Sequence, residues 1–141
     1  MAVTYRSPLL ERYGVFEATG ADAGVAAHYG EPLKEQRRLV LGDSKFVLAD
    51  YSHLGIVTVS GPDRHSWLTT LSSQVLTGMN AGDSREFTLL SPQGRIEYAP
   101  FAVEDGEKIW LIVEHEQAES LTEFLNRMKF MLLSLIHISE P

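Results

Sequence analysis

The stretch GIVTVSGPDRHSWLTTL, residues 55–71, predicts a β-strand followed at once by an α-helix. Its first six residues alternate, with Val57 and Val59 on one face, as in a strand that has one buried side. Pro62 is typical of the first turn of a helix, because its ring fixes φ near the helical value. Trp67 and two leucines then follow at helical spacing, so we expect one face of this helix to pack inward.

Other elements are predicted on both sides of this stretch. Towards the N-terminus we predict a short strand near residues 14–18, a helix over 32–39 and a strand at 45–49. Towards the C-terminus we predict strands at 85–90, 95–103 and 108–113, separated by turns, and a helix over 116–130. Helices do not alternate regularly with strands in this order. We therefore predict an α+β fold, with a mainly antiparallel sheet and helices packed on one face.

The composition is that of an ordinary globular chain and limits the partners to be expected. The 141 residues are 44% apolar, carry a net charge of −7 and include no cysteine. An acidic chain repels nucleic acid unless its basic residues gather on one face, so we expect no nucleic-acid partner. No apolar run approaches membrane-spanning length, and the first residues have no apolar signal region. We therefore expect a cytoplasmic protein without a membrane partner.

The last nine residues, LSLIHISEP at 133–141, match a translated transposon adapter from sequencing-library preparation in all nine codons. We therefore expect the natural chain to be interrupted after Leu132, which leaves an N-terminal fragment. On this interpretation the helix predicted over 116–130 is not followed by the strand that would complete the sheet. One edge of the sheet is then open, and Ile136 and Ile138 are unpaired. The alternative is a genuine β-prone tail.

Motifs of catalysis are absent from the sequence. It contains no His-Glu-x-x-His zinc motif, no Gly-x-Ser-x-Gly nucleophile elbow and no phosphate-binding loop. We therefore predict neither a catalytic residue nor a metal ligand in this chain. His65 and His115 lie near predicted helix N-termini, where we expect them to be exposed.

One strand start is more suggestive of a ligand. In Gln93–Tyr98, QGRIEY, the alternation of a strand places Glu97 and Tyr98 on opposite faces. The carboxylate could accept hydrogen bonds from the amino groups of a pterin-like ring, and the aromatic ring could stack on it. The alternative is a surface strand with one polar face, and spacing alone favours that alternative.

An ordered series of short motifs runs through residues 28–132. The motifs are HYG at 28–30, EQR at 35–37, YSH at 51–53, VTVSGPDR at 57–64, WL at 67–68, LSPQGRIE at 90–97, EDG at 104–106, a tryptophan at 110 and MKFML at 128–132. Together they resemble the N-terminal half of actinobacterial YgfZ-type folate-binding proteins. That family belongs to the superfamily of the glycine-cleavage T-protein, an aminomethyltransferase.

The resemblance implies a tetrahydrofolate-binding cavity shared among subdomains and a role in assembling or repairing iron–sulfur proteins. It implies three candidate folate-binding residues, Phe87, Glu97 and Tyr98, and iron–sulfur client proteins as partners. The aminomethyltransferase branch carries paired aspartates where this chain has Glu97 and Tyr98, so the departure at Tyr98 favours the YgfZ-like branch. The Lys-Gly-Cys-x-x-Gly-Gln motif of that branch belongs to the later half of the family's chains.

These observations lead to a division of the chain and to three functional hypotheses. We expect an arm with a short helix at 1–44, a truncated folate-binding-type domain at 45–132 and the adapter-derived tail at 133–141. The favoured function is a folate-binding accessory factor for iron–sulfur proteins. The alternatives are a folate-dependent aminomethyltransferase and a scaffold without a ligand. Because a shared cavity is incomplete in one subdomain, we expect weak or no folate binding by residues 1–132 and only marginal stability.

Overall fold

The computed structural model describes residues 5–42 and 49–129, together with the backbone of 135–139. The chain forms two compact units, Met1–His53 and Leu54–Pro141. The boundary predicted at residues 44 and 45, and all but the last residue of the strand predicted at 45–49, lie outside the described residues. Within the described ranges, no helix has the length and apolar character needed to cross a membrane.

The first unit contains a small hairpin and one helix. Strands β1 (Phe16–Glu17) and β2 (Ala26–His28) pair antiparallel, and helix α1 spans Pro32–Leu41. The helix begins with a proline in its first turn and ends at Gly42, whose φ of 60° is the left-handed conformation that glycine adopts most readily. Both the short strand near residues 14–18 and the helix are confirmed.

The second unit is built on a five-stranded antiparallel sheet. Its elements are, in chain order, β3 (Leu54–Ser60), α2 (Arg64–Leu71), β4 (Ser84–Glu86), β5 (Leu89–Leu90), β6 (Ile96–Tyr98), β7 (Phe101–Glu104), β8 (Lys108–Glu114), α3 (Gln117–Met128) and β9 (Leu135–Ser139). The strand order in the sheet is β4-β7-β8-β3-β9, and a separate two-stranded sheet pairs β5 with β6. The α+β prediction is confirmed, as are strand β3 and helices α2 and α3.

The core of this unit lies on one face of the sheet. Val57 and Val59 of β3 are fully buried and stand opposite Leu111 and Ile109 of β8, which are also fully buried. Residues from both helices join the same cluster, among them Trp67, Leu68, Leu121 and Leu125. A fully buried leucine contributes about 2 kcal/mol through the hydrophobic effect. The strand alternation and the helical spacing seen in the sequence therefore meet in one core.

Two predicted strands are each divided in the structure. The strand predicted at 85–90 separates into β4 and β5, and the strand predicted at 95–103 separates into β6 and β7. Pro100 is fully buried at the second break and has no N–H to donate to a neighbouring strand. Its carbonyl instead accepts from the Phe87 amide at 3.4 Å. The two chain segments that continue from β4 and β7 therefore leave the main sheet at this point, and β5 and β6 form a separate hairpin.

The C-terminal strand corrects one expectation. Strand β9 falls within the nine residues that match the adapter, and it pairs antiparallel with β3. Ile136 stands opposite Val59, and Ile138 opposite Val57, so these two residues are not unpaired. Both are β-branched and lie two residues apart, as is typical of one face of a strand. The backbone N–H and C=O groups of β3 that do not pair with β8 are available to pair with β9. A strand does follow α3, as the fold requires.

A buried ion-pair cluster joins the start of α2 to the end of β7. Glu104 is 1% exposed and accepts hydrogen bonds from Arg64 Nε and Nη2 at 3.1 and 2.9 Å. His65 Nε2 lies 2.6 Å from Glu104 Oε2, and the Gly106 amide donates to Oε1 at 2.7 Å. Burial alone would raise the pKa of Glu104, but the hydrogen bonds and the Arg64 charge hold the pKa below its ordinary value. The expectation that His65 is exposed was wrong, because its ring is drawn to this carboxylate.

Candidate functional site

The hairpin formed by β5 and β6 positions the candidate ligand residues. Its loop is closed by the Ser91 amide, which donates to the Arg95 carbonyl at 2.8 Å, and by the Gly94 amide, which donates to the Ser91 carbonyl at 2.9 Å. Gly94 has a φ of 78°, a conformation that a residue with a side chain rarely adopts. The loop predicted at residues 91–94 is therefore confirmed, and it sets the direction in which β6 presents Glu97.

A cleft of about 500 Å³ opens beside the end of β6. This volume lies within the range of small-molecule sites, about 300–1,000 Å³. Its walls come from β6, β7, β8 and the starts of β3 and α3. The lining residues are Leu54, Ile96, Glu97, Tyr98, Ala99, Phe101, Ile112, Val113, Glu114 and Gln117.

Two of the three candidate folate-binding residues share this cleft. Tyr98 is half-buried, and its ring lies 5.5 Å from that of Phe124, tilted by 52°. Aromatic pairs at such a distance stabilise each other, so Phe124 fixes the orientation of the tyrosine ring. Glu97 is exposed and has no hydrogen bond or ion pair to any other described residue. Its carboxylate is therefore available to a ligand.

The third candidate lies elsewhere. Phe87 is 3% exposed and packs in the hydrophobic core of the second unit, and it is not one of the residues that line the cleft. It follows β4 at the point where the chain passes to β5. In this arrangement its ring stabilises the sheet from which the hairpin projects.

The cleft contains polar residues that the sequence did not single out. These are Glu114 and Gln117, which line it beside Glu97. The pairing of Leu54 with Glu114 brings the start of β3 beside the end of β8, which places both residues in the cleft wall. No local motif signals this, because the two strands are far apart in sequence. The cleft thus combines apolar walls with two carboxylates and one amide.

The described residues offer no competing metal site in this unit. No group of three or more His, Asp or Glu side chains within residues 5–42 and 49–129 is arranged to hold a metal ion. His115 is exposed, as predicted, and His65 is engaged by Glu104. The apolar walls and polar side chains of the cleft can contact a polar organic molecule.

No protein-family model matches this chain, and no curated protein does. Among solved structures, the chain is similar to the glycine cleavage system aminomethyltransferase T from Bartonella henselae, with a TM-score of 0.67 and 19% identity. The similarity covers 94% of this chain and 36% of that protein. At this identity the likeness shows the fold, and the chain spans about a third of the length of its structural neighbour.

Proposed function

We propose that this chain is part of a cytoplasmic tetrahydrofolate-binding protein and that the cleft beside β6 holds the pterin end of the cofactor. The observation that carries the proposal is that Glu97 and Tyr98 line one cleft of suitable volume. The fold shared with an aminomethyltransferase T supports it.

The residues present fit one end of such a molecule. Glu97 would accept hydrogen bonds from the amino and ring N–H groups of the pterin, which are donors that match a carboxylate. Tyr98, Phe101 and Ile112 would supply apolar contact to the ring. Among the residues that the structure describes, no lysine or arginine lines the cleft to pair with the carboxylates of the glutamate tail. The described cleft therefore accounts for part of a folate site, and we expect weak affinity from this chain by itself.

The finer proposal is that the parent protein assists the assembly or repair of iron–sulfur proteins. It rests on the motif series of residues 28–132 and on Tyr98, which stands where the aminomethyltransferase branch has an aspartate. Sequencing the gene from genomic DNA across the Leu132 codon tests it. We expect the reading frame to continue towards a Lys-Gly-Cys-x-x-Gly-Gln segment. A frame that ends at Pro141, or a continuation without that motif, would count against the iron–sulfur role.

The alternative is a folate-dependent aminomethyltransferase, which is the activity named for the structural neighbour. A second carboxylate in the cleft, Glu114, is the feature of this chain that supports it. The assay is glycine cleavage by the full-length protein with its partner proteins. Turnover would establish the transferase, whereas folate binding without turnover would favour the accessory role.

Folate binding by this chain can be measured directly. We suggest titrating the ¹⁵N-labelled protein with 5-formyltetrahydrofolate and following amide chemical shifts. We expect millimolar affinity, with shifts concentrated at the cleft, and about tenfold weaker binding for Glu97→Gln because a charge-assisted hydrogen bond is lost. Glu123→Gln, an exposed carboxylate on α3, is the matched control. Shifts away from the cleft, or equal affinities for the two variants, would contradict the placement of folate in the cleft, and a complete lack of shifts would favour the scaffold hypothesis.

A further inference from the structure

A second cavity, of about 440 Å³, lies within the first unit. Strand β2, the start of α1 and the residues just before β3 form its walls. Its polar lining residues include Asp22, Tyr29, Glu35, Asp50 and His53. None of these residues belongs to the cleft beside β6, so a ligand of this cavity is independent of the folate proposal.

His53 is the unusual residue of this cavity. Its side chain is 7% exposed, and its Nε2 lies 3.2 Å from Asp22 Oδ1. An ionised carboxylate only accepts, so Nε2 donates to Asp22, and in a neutral ring Nδ1 is then an acceptor. Nδ1 is buried and has no hydrogen-bond partner among the described residues. A buried acceptor without a partner destabilises the fold, and a ligand N–H would remove that cost.

The charge of the cavity indicates what kind of donor it would take. Asp22, Glu35 and Asp50 line it, and no lysine or arginine within residues 5–42 and 49–129 does. Burial alone would raise the pKa of Asp50, but hydrogen bonds from Ser52 and Ser7 hold the pKa below its ordinary value, so the carboxylate stays charged. Three carboxylates around one cavity favour a cation.

Apolar residues also line the cavity. They include alanines, Val25 and Leu39, and the centroids of the Tyr51 and His53 rings lie 6.3 Å apart. No group of three or more metal-ligating side chains occurs in the parts of the chain that the structure describes, which disfavours a metal ion as the occupant. A molecule with a charged N–H group and a hydrocarbon portion can pair with the carboxylates and also contact the apolar residues of the lining.

We propose that this cavity binds a small organic ammonium, a primary or secondary amine in its protonated form. One ammonium N–H donates to His53 Nδ1, the carboxylates of Asp22, Glu35 and Asp50 balance the charge, and the hydrocarbon portion contacts the apolar residues of the lining.

The test uses n-butylammonium chloride as the probe and the whole ¹⁵N-labelled chain. Two reference compounds separate the contributions. Butan-1-ol has the same hydrocarbon chain without the charge, and tetramethylammonium has the charge without an N–H. We expect butylammonium to shift the amides of Tyr29 and Asp50 and the ¹⁵Nδ1 resonance of His53. We expect about fivefold weaker binding of tetramethylammonium, because one hydrogen bond is absent, and weaker binding at high salt.

Two variants make the test decisive. His53→Phe removes the acceptor and keeps a ring of similar shape, and His115→Phe, at an exposed position of the second unit, is its matched control. If His53→Phe does not give a dispersed spectrum, Glu35→Gln replaces it, because one oxygen remains to accept from the Tyr29 amide while the charge is lost. We expect at least threefold weaker binding for either cavity variant. Equal affinity in variant and control, tighter binding of butanol, or competition by zinc chloride at equal concentration would overturn the proposal.

Discussion

Replacing Glu104 with glutamine tests the buried cluster that joins α2 to β7. Glutamine has the same shape, but its amide group turns two donor hydrogens towards Arg64 and His65, which themselves donate to Glu104 in the native protein. Arg64 then remains near a neutral group, with its side chain only 14% exposed. Breaking a buried pair costs about 3–5 kcal/mol, and we expect about 3 kcal/mol here because Arg64 and His65 keep some contact with solvent.

Thermal unfolding followed by circular dichroism measures this loss. A change of about 3 kcal/mol lowers Tm by about 10 °C in a protein of this size. Glu107→Gln is the matched control, since Glu107 is exposed in the same turn, and we expect its Tm to stay at the wild-type value. A Glu104→Gln protein that melts together with this control would refute the reasoning that the cluster stabilises the fold.

The dependence on pH gives an independent check. The pKa of Glu104 is held below its ordinary value in the folded protein, so the unfolded chain binds a proton more readily than the folded one. The stabilisation is therefore complete above the ordinary glutamate pKa and is lost as the pH falls through the folded value. We expect the Tm difference between wild type and Glu104→Gln to shrink in acid. A difference that stays constant down to the folded pKa would show that the charge is not its source.

Three further predictions concern the second unit. Gly55→Ala should cost about 2 kcal/mol in urea unfolding, because a Cβ there would lie 2.8 Å from the Cβ of Ala118; an unchanged midpoint would contradict this. The carboxyl of Asp105 should titrate with a pKa of about 2 by NMR, since Trp110 Nε1 and two backbone amides donate to it, and Trp110→Phe should raise that pKa; no change would exclude the indole as the cause. Removing residues 133–141 should leave one edge of β3 unpaired and increase self-association in sedimentation velocity; a monomer as stable as the whole chain would contradict this.

The sequence predicts those elements of the fold whose residue spacing is regular within one short stretch of the chain. Strand β3 and helix α2 are evident in the spacing of Val57, Val59 and Trp67, and α3 in its periodic apolar residues. The division of two strands was missed, because the alternation continues through the breaks. Pro100 was the available signal, since a proline cannot donate in the interior of a sheet.

The candidate site was predicted only in part, for a related reason. Glu97 and Tyr98 are adjacent in sequence, so one strand start was enough to select them. Glu114 reaches the same cleft through the pairing of β3 with β8, and Glu104 meets Arg64 across 40 residues of chain. Contacts of this kind depend on the register of the sheet, which a single sequence does not specify. His53 became a candidate only when its burial and its unpartnered nitrogen were known.

The edge of β3 that receives Leu135–Ser139 also has a practical use in protein engineering. The pairing with β9 is made by main-chain groups over five residue pairs, so it demands an extended backbone more than a particular sequence. A separately synthesised peptide with a suitable alternation could then take the place of β9 on a shortened chain. The sheet would serve as the large half of a split protein, and reconstitution by added peptides would report how strongly each of them forms a strand.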